Sequence, residues 1–332
     1  MDHEMRNVAK REAPSDHDEG TYQGRSASHA ESAQRAAAAD RPARLKVGVV
    51  GTGRVGATLG AALARAGHQV VAASGVSASS RARAGRFLPG VALTDPRRVV
   101  TAADLVLLTV PDDVLPGLVA GLVKTGVRLH GRMLMHASGR HGATVLDPAT
   151  ARGALPLALH PVMTFTGRSE DIDRLSGVCF GVTAPEELLP VAQALVIEMG
   201  GDPVVIAEDD RGLYHAALAT ASNHLITLIT EASDLLRSAG VSDPPRMLGP
   251  LLSAALDNAL RLGIAGLTGP VARGDAGTVA SHLDAMRRAA SPPAVAAYVA
   301  MARLTADRAI AAGILKPEEA EHLLDVLSGA PR

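Results

Sequence analysis

The sequence predicts an α/β fold in which a doubly wound, mostly parallel sheet is followed by an all-helical C-terminal domain. An apolar run over residues 47–50 ends abruptly at Gly51 and leads into an Ala- and Leu-rich helical pattern. Short apolar runs then alternate with helical patterns as far as Ile206, which is typical of a parallel sheet covered by helices. From Asp209 onward only helical spacing of apolar residues is found.

Length and composition support two domains and a tail. The chain has 332 residues, of which 47% are hydrophobic and 2% aromatic, so its cores must be built from Ala, Val and Leu. We expect a nucleotide-binding domain at 44–206 and a helical domain at 207–330. Residues 1–43 carry almost no large apolar side chains, which predicts a disordered tail that neither fold nor cofactor binding requires. Alternatively, the true start codon lies later.

Charge and cysteine content exclude several classes of function. The formal net charge of −1 argues against a nucleic-acid partner. The single cysteine, Cys179, excludes an intramolecular disulfide and cysteine-rich zinc clusters, and no metal site is expected. No apolar run approaches the ~20 residues of a membrane span, and we see no signal-peptide core. We therefore expect a cytoplasmic protein without a membrane partner.

Three glycines in the pattern G-x-G-x-x-G follow the first apolar run. Gly51 allows a sharp turn, Gly53 allows a pyrophosphate to approach the backbone, and Gly56 allows the helix to pack closely on the strand. The helix N-terminus adds free N–H groups and a positive dipole end. Alternatively, the glycines only shape a turn in a fold without a cofactor. The predicted dinucleotide-binding segment of this Rossmann pattern is Gly51, Thr52, Gly53, Arg54, Val55 and Gly56.

The end of the second predicted strand favours NADP over NAD. NAD-binding domains usually place a carboxylate there, to accept a hydrogen bond from the ribose 2′-hydroxyl. Residues 72–81 contain no carboxylate, and hydroxyls such as Ser74, together with Arg81 and Arg83 beyond it, could hold a 2′-phosphate instead. Alternatively, Arg81 and Arg83 form only the solvated face of a short helix. We expect NADPH to bind more tightly than NADH.

Further candidate residues follow the later strands of the sheet. Ligands of open α/β sheets bind outside the carboxyl ends of the strands. The continuous apolar run Leu105–Val110 stands before Pro111, and Val110 and Pro111 at its end should line the nicotinamide side. Ser138 and His160 lie at the ends of two later predicted strands and are candidates for substrate binding and acid–base chemistry. His160 could equally be a packing histidine.

The helical domain adds polar candidates on one predicted helix, residues 214–236. His215, Ser222 and Asn223 lie about two helical turns apart, so we expect them to share a face. Polar groups on an otherwise apolar helix need partners, which a polar substrate or a helix–helix network could supply. We take His215 and Asn223 as catalytic candidates and Ser222 as a substrate-binding candidate.

A glycine-rich loop between helices, residues 267–275, carries Arg273 and Asp275. A guanidinium on such a loop suits recognition of a carboxylate, so we take both residues as substrate-binding candidates. Alternatively, they form an ion pair and a helix cap. No lysine lies on a candidate segment, which leaves histidine as the acid–base group near neutral pH.

The motifs GTGRVG, TVPDD, HASG, LHPVMTF, YHAALATASNHL and LTGPVARGD resemble those of Rossmann-like proteins that carry domain of unknown function 2520. These proteins are relatives of pyrroline-5-carboxylate reductase and of deazaflavin-dependent NADP reductases. The resemblance runs from about Lys46 to Leu327. It implies an NADP-binding domain, a helical domain similar to that of 6-phosphogluconate dehydrogenase, a substrate site between the domains, and a homodimer. The lysine of the β-hydroxyacid dehydrogenases has no counterpart, which argues against a simple 3-hydroxyacid oxidation.

The expected function is an NADP(H)-dependent oxidoreductase acting on a small carboxylate-bearing ketone or imine, such as ketopantoate or a cyclic imine. His215 or His160 would be the acid, Asn223 and Ser138 would orient the substrate, and Arg273 would take its carboxylate. One alternative is an NADP-binding sensor without turnover. Another is a prephenate-dehydrogenase-like enzyme, because the His-Pro at 160–161 is similar to a motif of that family.

Apolar residues on the predicted helix at 214–236 favour a homodimer. Leu225, Ile226, Leu228 and Ile229 cover much of its circumference, and a helix that is apolar all round must be buried on all sides. A small helical domain cannot enclose it alone, and a two-fold dimer is the commonest solution. His215 and Asn223 should then face the nicotinamide, with the opposite face against the partner.

Overall fold

The computed structural model of the protein describes residues 44–329, which divide into two compact units. The first unit ends at Tyr214 and the second begins at His215, so the division falls inside a helix and beyond the expected boundary at 206. The predicted tail at 1–43 lies outside the described residues.

The first unit is built on one eight-stranded sheet. Its strands are β1 (Lys46–Val50), β2 (Gln69–Ser74), β3 (Ala92–Leu93), β4 (Leu105–Leu108), β5 (Met133–His136), β6 (Leu155–Pro161), β7 (Cys179–Thr183) and β8 (Asp202–Val205). They lie in the order β3-β2-β1-β4-β5-β6-β7-β8. Strands β1 to β6 are parallel, β7 is antiparallel to β6, and β8 is parallel to β7. The predicted doubly wound, mostly parallel sheet is confirmed, with the order reversing between β1 and β4.

Helices cover both faces of this sheet. The α-helices are α1 (Arg54–Arg65), α2 (Ala78–Phe87), α3 (Pro96–Ala102), α4 (Leu115–Lys124), α5 (Asp147–Thr150), α6 (Glu170–Asp173) and α7 (Leu189–Glu198), with 3₁₀ turns at Ala143–Leu146 and Glu186–Leu188. Side chains that alternate along β1 enter two separate cores. Val47 and Val49 pack with α1 and α7, whereas Val50 packs with α3 and α4. Buried side chains on both faces explain why the strands read as continuous apolar runs.

The second unit is helical throughout its described residues. After α8 (Arg211–Ala219), which spans the division, come a π-helical turn (Thr220–His224), α9 (Leu225–Ser238), α10 (Pro244–Leu262), a 3₁₀ turn (Gly263–Gly266), α11 (Ala276–Ala289), α12 (Pro292–Ala311) and α13 (Pro317–Ser328). Its core includes Val279 and Leu283 of α11, Ala306 of α12 and Leu323 of α13. The predicted all-helical domain is therefore confirmed.

The helix predicted over residues 214–236 is interrupted, which corrects one expectation. Residues Thr220–His224 form a π-turn, which holds one more residue than an α-helical turn. Threonine hydroxyls bond back to carbonyls on either side of it, Thr220 to Ala216 at 2.9 Å and Thr227 to Asn223 at 3.2 Å. Such bonds compete with the helical ladder and bend helices. The face that Ser222 and Asn223 were expected to share with His215 was derived for an unbroken α-helix, so that derivation does not apply across the π-turn.

Two smaller differences concern the sheet. The short strand β3 has only two residues, too few for a periodic pattern, and it was not predicted. The run predicted to extend to Val110 ends as a strand at Leu108.

Within residues 44–329, no helix has both the length and the apolar character needed to cross a membrane.

Candidate cofactor and catalytic site

The turn between β1 and α1 leaves an open space above exposed backbone. Gly51 has a φ of +97°, and a Cβ there would lie 2.5 Å from the carbonyl oxygen of Thr109. Its N–H and that of Thr52 donate to the Ser74 carbonyl at 2.9 and 3.0 Å. Gly53 is the N-cap of α1 and offers no side-chain cap, and a Cβ there would meet nothing within 4 Å. The first N–H groups of α1 therefore lie beneath an open space that suits an anion.

The other residues of this turn are held by packing. A Cβ on Gly56 would overlap Thr109 Oγ1 and the Gly51 carbonyl, so only glycine lets α1 lie this close to the end of β4. The Thr52 hydroxyl is fully buried and donates to the Ser80 carbonyl at 3.0 Å. Val55 is partly buried against the core. Thr52 and Val55 therefore shape the turn, and Gly53 and Arg54 lie at its surface.

The end of β2 carries hydroxyl and guanidinium groups and no carboxylate. Ser74 is buried and accepts from the glycine turn through its carbonyl. Arg81 is exposed and donates to the Val76 carbonyl of its own turn. Arg83 donates to the Thr52 carbonyl at 3.3 Å, which brings its charge directly to the glycine turn. Arg83, expected beyond Arg81 as a further group for the 2′-phosphate, therefore lies closer to the glycine turn than its place in the sequence suggests.

A loop after β6 joins this basic cluster. Arg86 of α2 donates to the Gly167 carbonyl at 2.5 Å. A Cβ on Gly167 would lie 3.1 Å from the side chains of Arg54 and Arg83. Three arginines of two helices therefore surround one glycine beside the turn, an arrangement that the separate sequence positions did not indicate.

The segment after β4 lies beside the glycine turn. The Thr109 hydroxyl donates to the Gly51 carbonyl at 2.7 Å, and Val110 Cγ1 lies 3.3 Å from the position of a Cβ on Gly51. The Pro111 carbonyl accepts from Val114 N–H at 2.9 Å in a turn that precedes α4. Val110 and Pro111 thus follow the strand next to β1, at the point where the strand order reverses.

A buried histidine fixes the loop after β5. His136 Nδ1 accepts from the Ser138 N–H at 3.2 Å, so Nε2 carries the proton and donates to the Gly142 carbonyl at 2.8 Å. Burial lowers the pKa of His136 from 6.5 to about 4, and the ring is neutral at pH 7. Ser138 is 7% exposed, and its Oγ accepts from His141 N–H at 3.1 Å. Sequence analysis selected Ser138 but missed the histidine that positions it.

His160 is paired with a tyrosine at the end of β6. A hydrogen bond of 2.8 Å joins His160 Nδ1 and Tyr214 Oη, with the two rings nearly perpendicular and 5.6 Å apart. A Cβ on Gly181, the neighbour of His160 across the strand pair, would lie 2.5 Å from Tyr214 Oη. Burial raises the pKa of Tyr214 above 10.0, and the positive charge of Arg211 opposes that rise. Both rings are half-buried.

Arg211, the first residue of α8, is buried beneath this pair and is only 2% exposed. Its guanidinium donates to Thr183 Oγ1 at 2.8 Å, to the Ala158 and Gly181 carbonyls at 3.0 Å, and more distantly to the Ser138 carbonyl at 3.5 Å. No carboxylate forms an ion pair with it among residues 44–329, and burial lowers its pKa. Arg211 ties β6 and β7 to the loop after β5, and sequence analysis did not select it.

The candidates in the second unit have the following surroundings. His215 and Ser222 are half-buried, and Asn223 is exposed on the π-turn. Arg273 is exposed and donates to the Thr268 carbonyl of its own loop. Asp275 is the N-cap of α11, accepting from the Thr278 N–H at 3.0 Å and hydroxyl at 2.6 Å, and these bonds lower its pKa. The alternative considered for this loop was an Arg273–Asp275 ion pair together with a helix cap. The cap is present, and no ion pair joins the two residues within the described chain.

The fold and the glycine turn define a Rossmann-like protein with a helical C-terminal unit. The sequence model of the Rossmann-like domain matches residues 31–161, and that of domain of unknown function 2520 matches residues 178–305. The two matches confirm the resemblance that the motifs predict, a Rossmann-like domain followed by domain of unknown function 2520. No protein of curated function matches the chain.

Solved structures share this fold at low sequence identity. A Bacteroides fragilis protein assigned as an NADP oxidoreductase is 20% identical, with a TM-score of 0.66 over 80% of this chain and 98% of that chain. An imine reductase from Pseudomonas sp. is 19% identical, with a TM-score of 0.58 over 82% and 96%. A reductive aminase from Aspergillus terreus, in complex with NADPH4, cyclohexanone and allyl amine, is 17% identical, with a TM-score of 0.56 over 82% and 95%. At these identities the likeness establishes the fold.

Two glycines of the turn should respond differently to the same added methyl group. We expect Gly56→Ala to destabilise the chain by about 1–3 kcal/mol, because its Cβ would overlap Thr109 and Gly51. Gly53→Ala should keep the wild-type melting temperature, since its Cβ meets no atom within 4 Å, but it should weaken NADPH binding. Calorimetry and fluorescence titration measure the two effects. Equal melting temperatures for both variants would contradict the packing argument.

His136 should make folding stability pH-dependent in acid. Its folded pKa of about 4 is lower than the ordinary value of 6.5, so between these values the unfolded state binds more protons. The stabilisation is complete above pH 6.5 and is lost towards pH 4, by about 3 kcal/mol. Urea unfolding at pH 7 and 4.5 should show a smaller pH dependence in His136→Gln than in the wild type. The exposed His130→Gln is the control, and an unchanged difference in His136→Gln would contradict the prediction.

Proposed function

We propose that the protein is an NADP(H)-dependent oxidoreductase acting on a small carboxylate-bearing ketone or imine. The observation that carries the proposal is the open space above Gly53 next to a β2 end that has arginines and no carboxylate. The proteins that share the fold support it: one is assigned as an NADP oxidoreductase, one is an imine reductase, and one is a reductive aminase in complex with NADPH4 and two small molecules. These neighbours favour a nicotinamide cofactor and a small-molecule substrate for this chain.

The residues of the first unit suit the cofactor. The uncapped N–H groups at the start of α1 would receive the pyrophosphate. Ser74 and Arg81, with Arg83 beside them, would hold the 2′-phosphate through charge-assisted hydrogen bonds. Val110 and Pro111 would line the nicotinamide. When bound, the reduced nicotinamide supplies a hydride, and the chain supplies orientation and the proton.

The substrate-binding and acid–base roles remain those expected from the sequence. Reduction of a C=O or C=N bond consumes a proton as well as a hydride, and His160 or His215 would provide it. Ser138, Ser222 and Asn223 would orient the substrate. The Arg273 guanidinium would exchange its backbone carbonyl partner for the substrate carboxylate, which is the stronger acceptor. Asp275 would hold that loop against α11 through its cap.

Turnover with NADPH tests the proposal. We expect the protein to oxidise NADPH in the presence of some member of a panel of 2-oxo acids and cyclic imines, and to use NADH less well. Loss of the Arg81 guanidinium should cost about 1.5–3 kcal/mol of NADPH affinity with little change for NADH. Arg97→Ala is the control, because the Arg97 side chain is exposed on α3. Equal affinities for the two cofactors in the wild type would contradict the NADP preference, and absence of turnover would favour a binding protein.

We also infer a homodimer formed through the helical unit. Apolar side chains on α9 are exposed in the single chain, with Ile226 at 61% and Leu228 at 43%, and on α10 Leu251 reaches 64%. Contiguous apolar surface of this kind is typical of association sites, and a two-fold dimer buries it with one interface.

Light scattering across a concentration series tests this inference. The wild type should be dimeric at micromolar concentration, and Leu228→Glu should dissociate it or unfold the chain, because the interface would bury an unpaired carboxylate. Ile197→Glu, at an exposed apolar position on α7 of the first unit, should stay dimeric. A stable, active wild-type monomer would contradict the inference.

A further inference from the structure

We propose that Tyr214 is a catalytic residue that gives its hydroxyl proton to the substrate, with His160 as the group that returns the proton and Arg211 as a positioning residue. The proposal rests on the proposed reduction of a ketone or imine. It changes the role of His160, which the sequence suggested as the acid itself. The reacting hydroxyl would then lie on the first turn of α8.

The geometry at the end of β6 supports this division of roles. The Tyr214 hydroxyl and His160 Nδ1 are 2.8 Å apart, and both rings are half-buried rather than enclosed in the core. Gly181 lies across the strand pair from His160, and a side chain there would collide with the Tyr214 hydroxyl. His160 also lies at the carboxyl end of the parallel strand β6, where ligands of open α/β sheets bind.

Arg211 fixes the tyrosine in this place. It lies three residues before Tyr214 on the same helix, so the two side chains are neighbours on one face. Its guanidinium carbon lies 5.6 Å from the centre of the Tyr214 ring, while its N–H groups are held by Thr183, Ala158 and Gly181. A buried cation held by four hydrogen bonds therefore supports the ring and cannot readily move.

The charges around Tyr214 suit a proton donor. Burial raises its pKa above 10.0, so the hydroxyl keeps its proton at neutral pH. Arg211 and a backbone hydrogen bond from Gly181 oppose that rise, and both would stabilise the phenolate that forms when the proton leaves. Cys179, at the start of β7, also raises the pKa of Tyr214, and the His160 ring is hydrogen-bonded to the hydroxyl itself.

The proton transfer balances as follows for an imine. When bound, the reduced nicotinamide would supply the hydride for the imine carbon, and the C=N π electrons would move to nitrogen. The nitrogen would take the Tyr214 proton as the phenolic O–H bond breaks. The phenolate would take the Nδ1 proton of His160 while Nε2 of the same ring takes a proton from solvent, so the ring stays neutral. One hydride and one proton are consumed, and the nicotinamide is oxidised.

A pair of substrates tests the proposal directly. A neutral cyclic imine, assayed above its own pKa, needs a proton, whereas its N-methylated iminium analogue accepts a hydride without one. We expect Tyr214→Phe to lower kcat/KM for the neutral imine by about 10²–10⁴-fold and to leave reduction of the iminium unchanged. Tyr298→Phe is the matched control, because Tyr298 also bonds to a histidine, at 2.9 Å from His282 Nδ1, within the second unit. It should leave both rates unchanged.

The outcomes distinguish the role of Tyr214 from the proposed substrate class. If Tyr214→Phe reduces both substrates at the wild-type rate, or loses both rates equally, Tyr214 is not the proton donor. If the wild type binds NADPH but reduces neither substrate, the proposed substrate class is wrong, and this proposal falls with it. A loss confined to the neutral imine supports the proposal, because a structural defect would affect both substrates.

Arg211→Met gives a second measurement. Removing the positive charge should raise the pKa of Tyr214, so the rate with the neutral imine should decline at a higher pH than in the wild type. Its value on the pH plateau should also fall, because the ring loses its support. A basic limb that stays at the wild-type pH would contradict the assigned role of Arg211, even if the variant is less stable.

Discussion

The glycine turn after β1, the start of α1 and the end of β4 approach one another so closely that only glycine fits at the points of contact. Gly51 lies against the Thr109 carbonyl, and Gly56 lies against both Gly51 and the Thr109 hydroxyl. The position of α1 and the open space above Gly53 both depend on this contact. A side chain on Gly51 or Gly56 would push α1 away from β4, and the first N–H groups of α1 would then no longer meet at the end of the strands.

A second constraint is the burial of Arg211 without a carboxylate. Such a cation is costly unless its donors are satisfied, and here backbone carbonyls and one hydroxyl do so. Because those acceptors belong to β6 and β7, the antiparallel pairing of these two strands is what creates the binding place for the guanidinium. The same pairing brings Gly181 opposite His160 and leaves room for the Tyr214 ring.

The features that could be predicted are those encoded locally. Continuous apolar runs identify buried parallel strands, and the glycine spacing identifies the turn, because both signals lie within a few residues. His136 was missed although its partner Gly142 lies only six residues away, because no periodic pattern marks the loop that joins them. Arg211 was missed because its partners, Ala158 and Gly181, are brought together only by the sheet. The pairing of His160 with Tyr214 has the same origin, since 54 residues separate them.

In the helical unit, prediction fails for a different reason: the local sequence pattern fits two backbone conformations. Apolar spacing near Thr220 is compatible with an α-helix or with a π-turn, and hydroxyl bonds to backbone carbonyls accompany the second.

The π-turn holds one extra residue within a single turn of the helix. Deleting one residue within Thr220–His224 would therefore restore a regular helix and leave the faces of α9 unchanged relative to residues 215–219. An α-helix turns by about 100° per residue, so regular α-geometry with all residues retained would instead carry Leu228 and its neighbours to a different side of the helix.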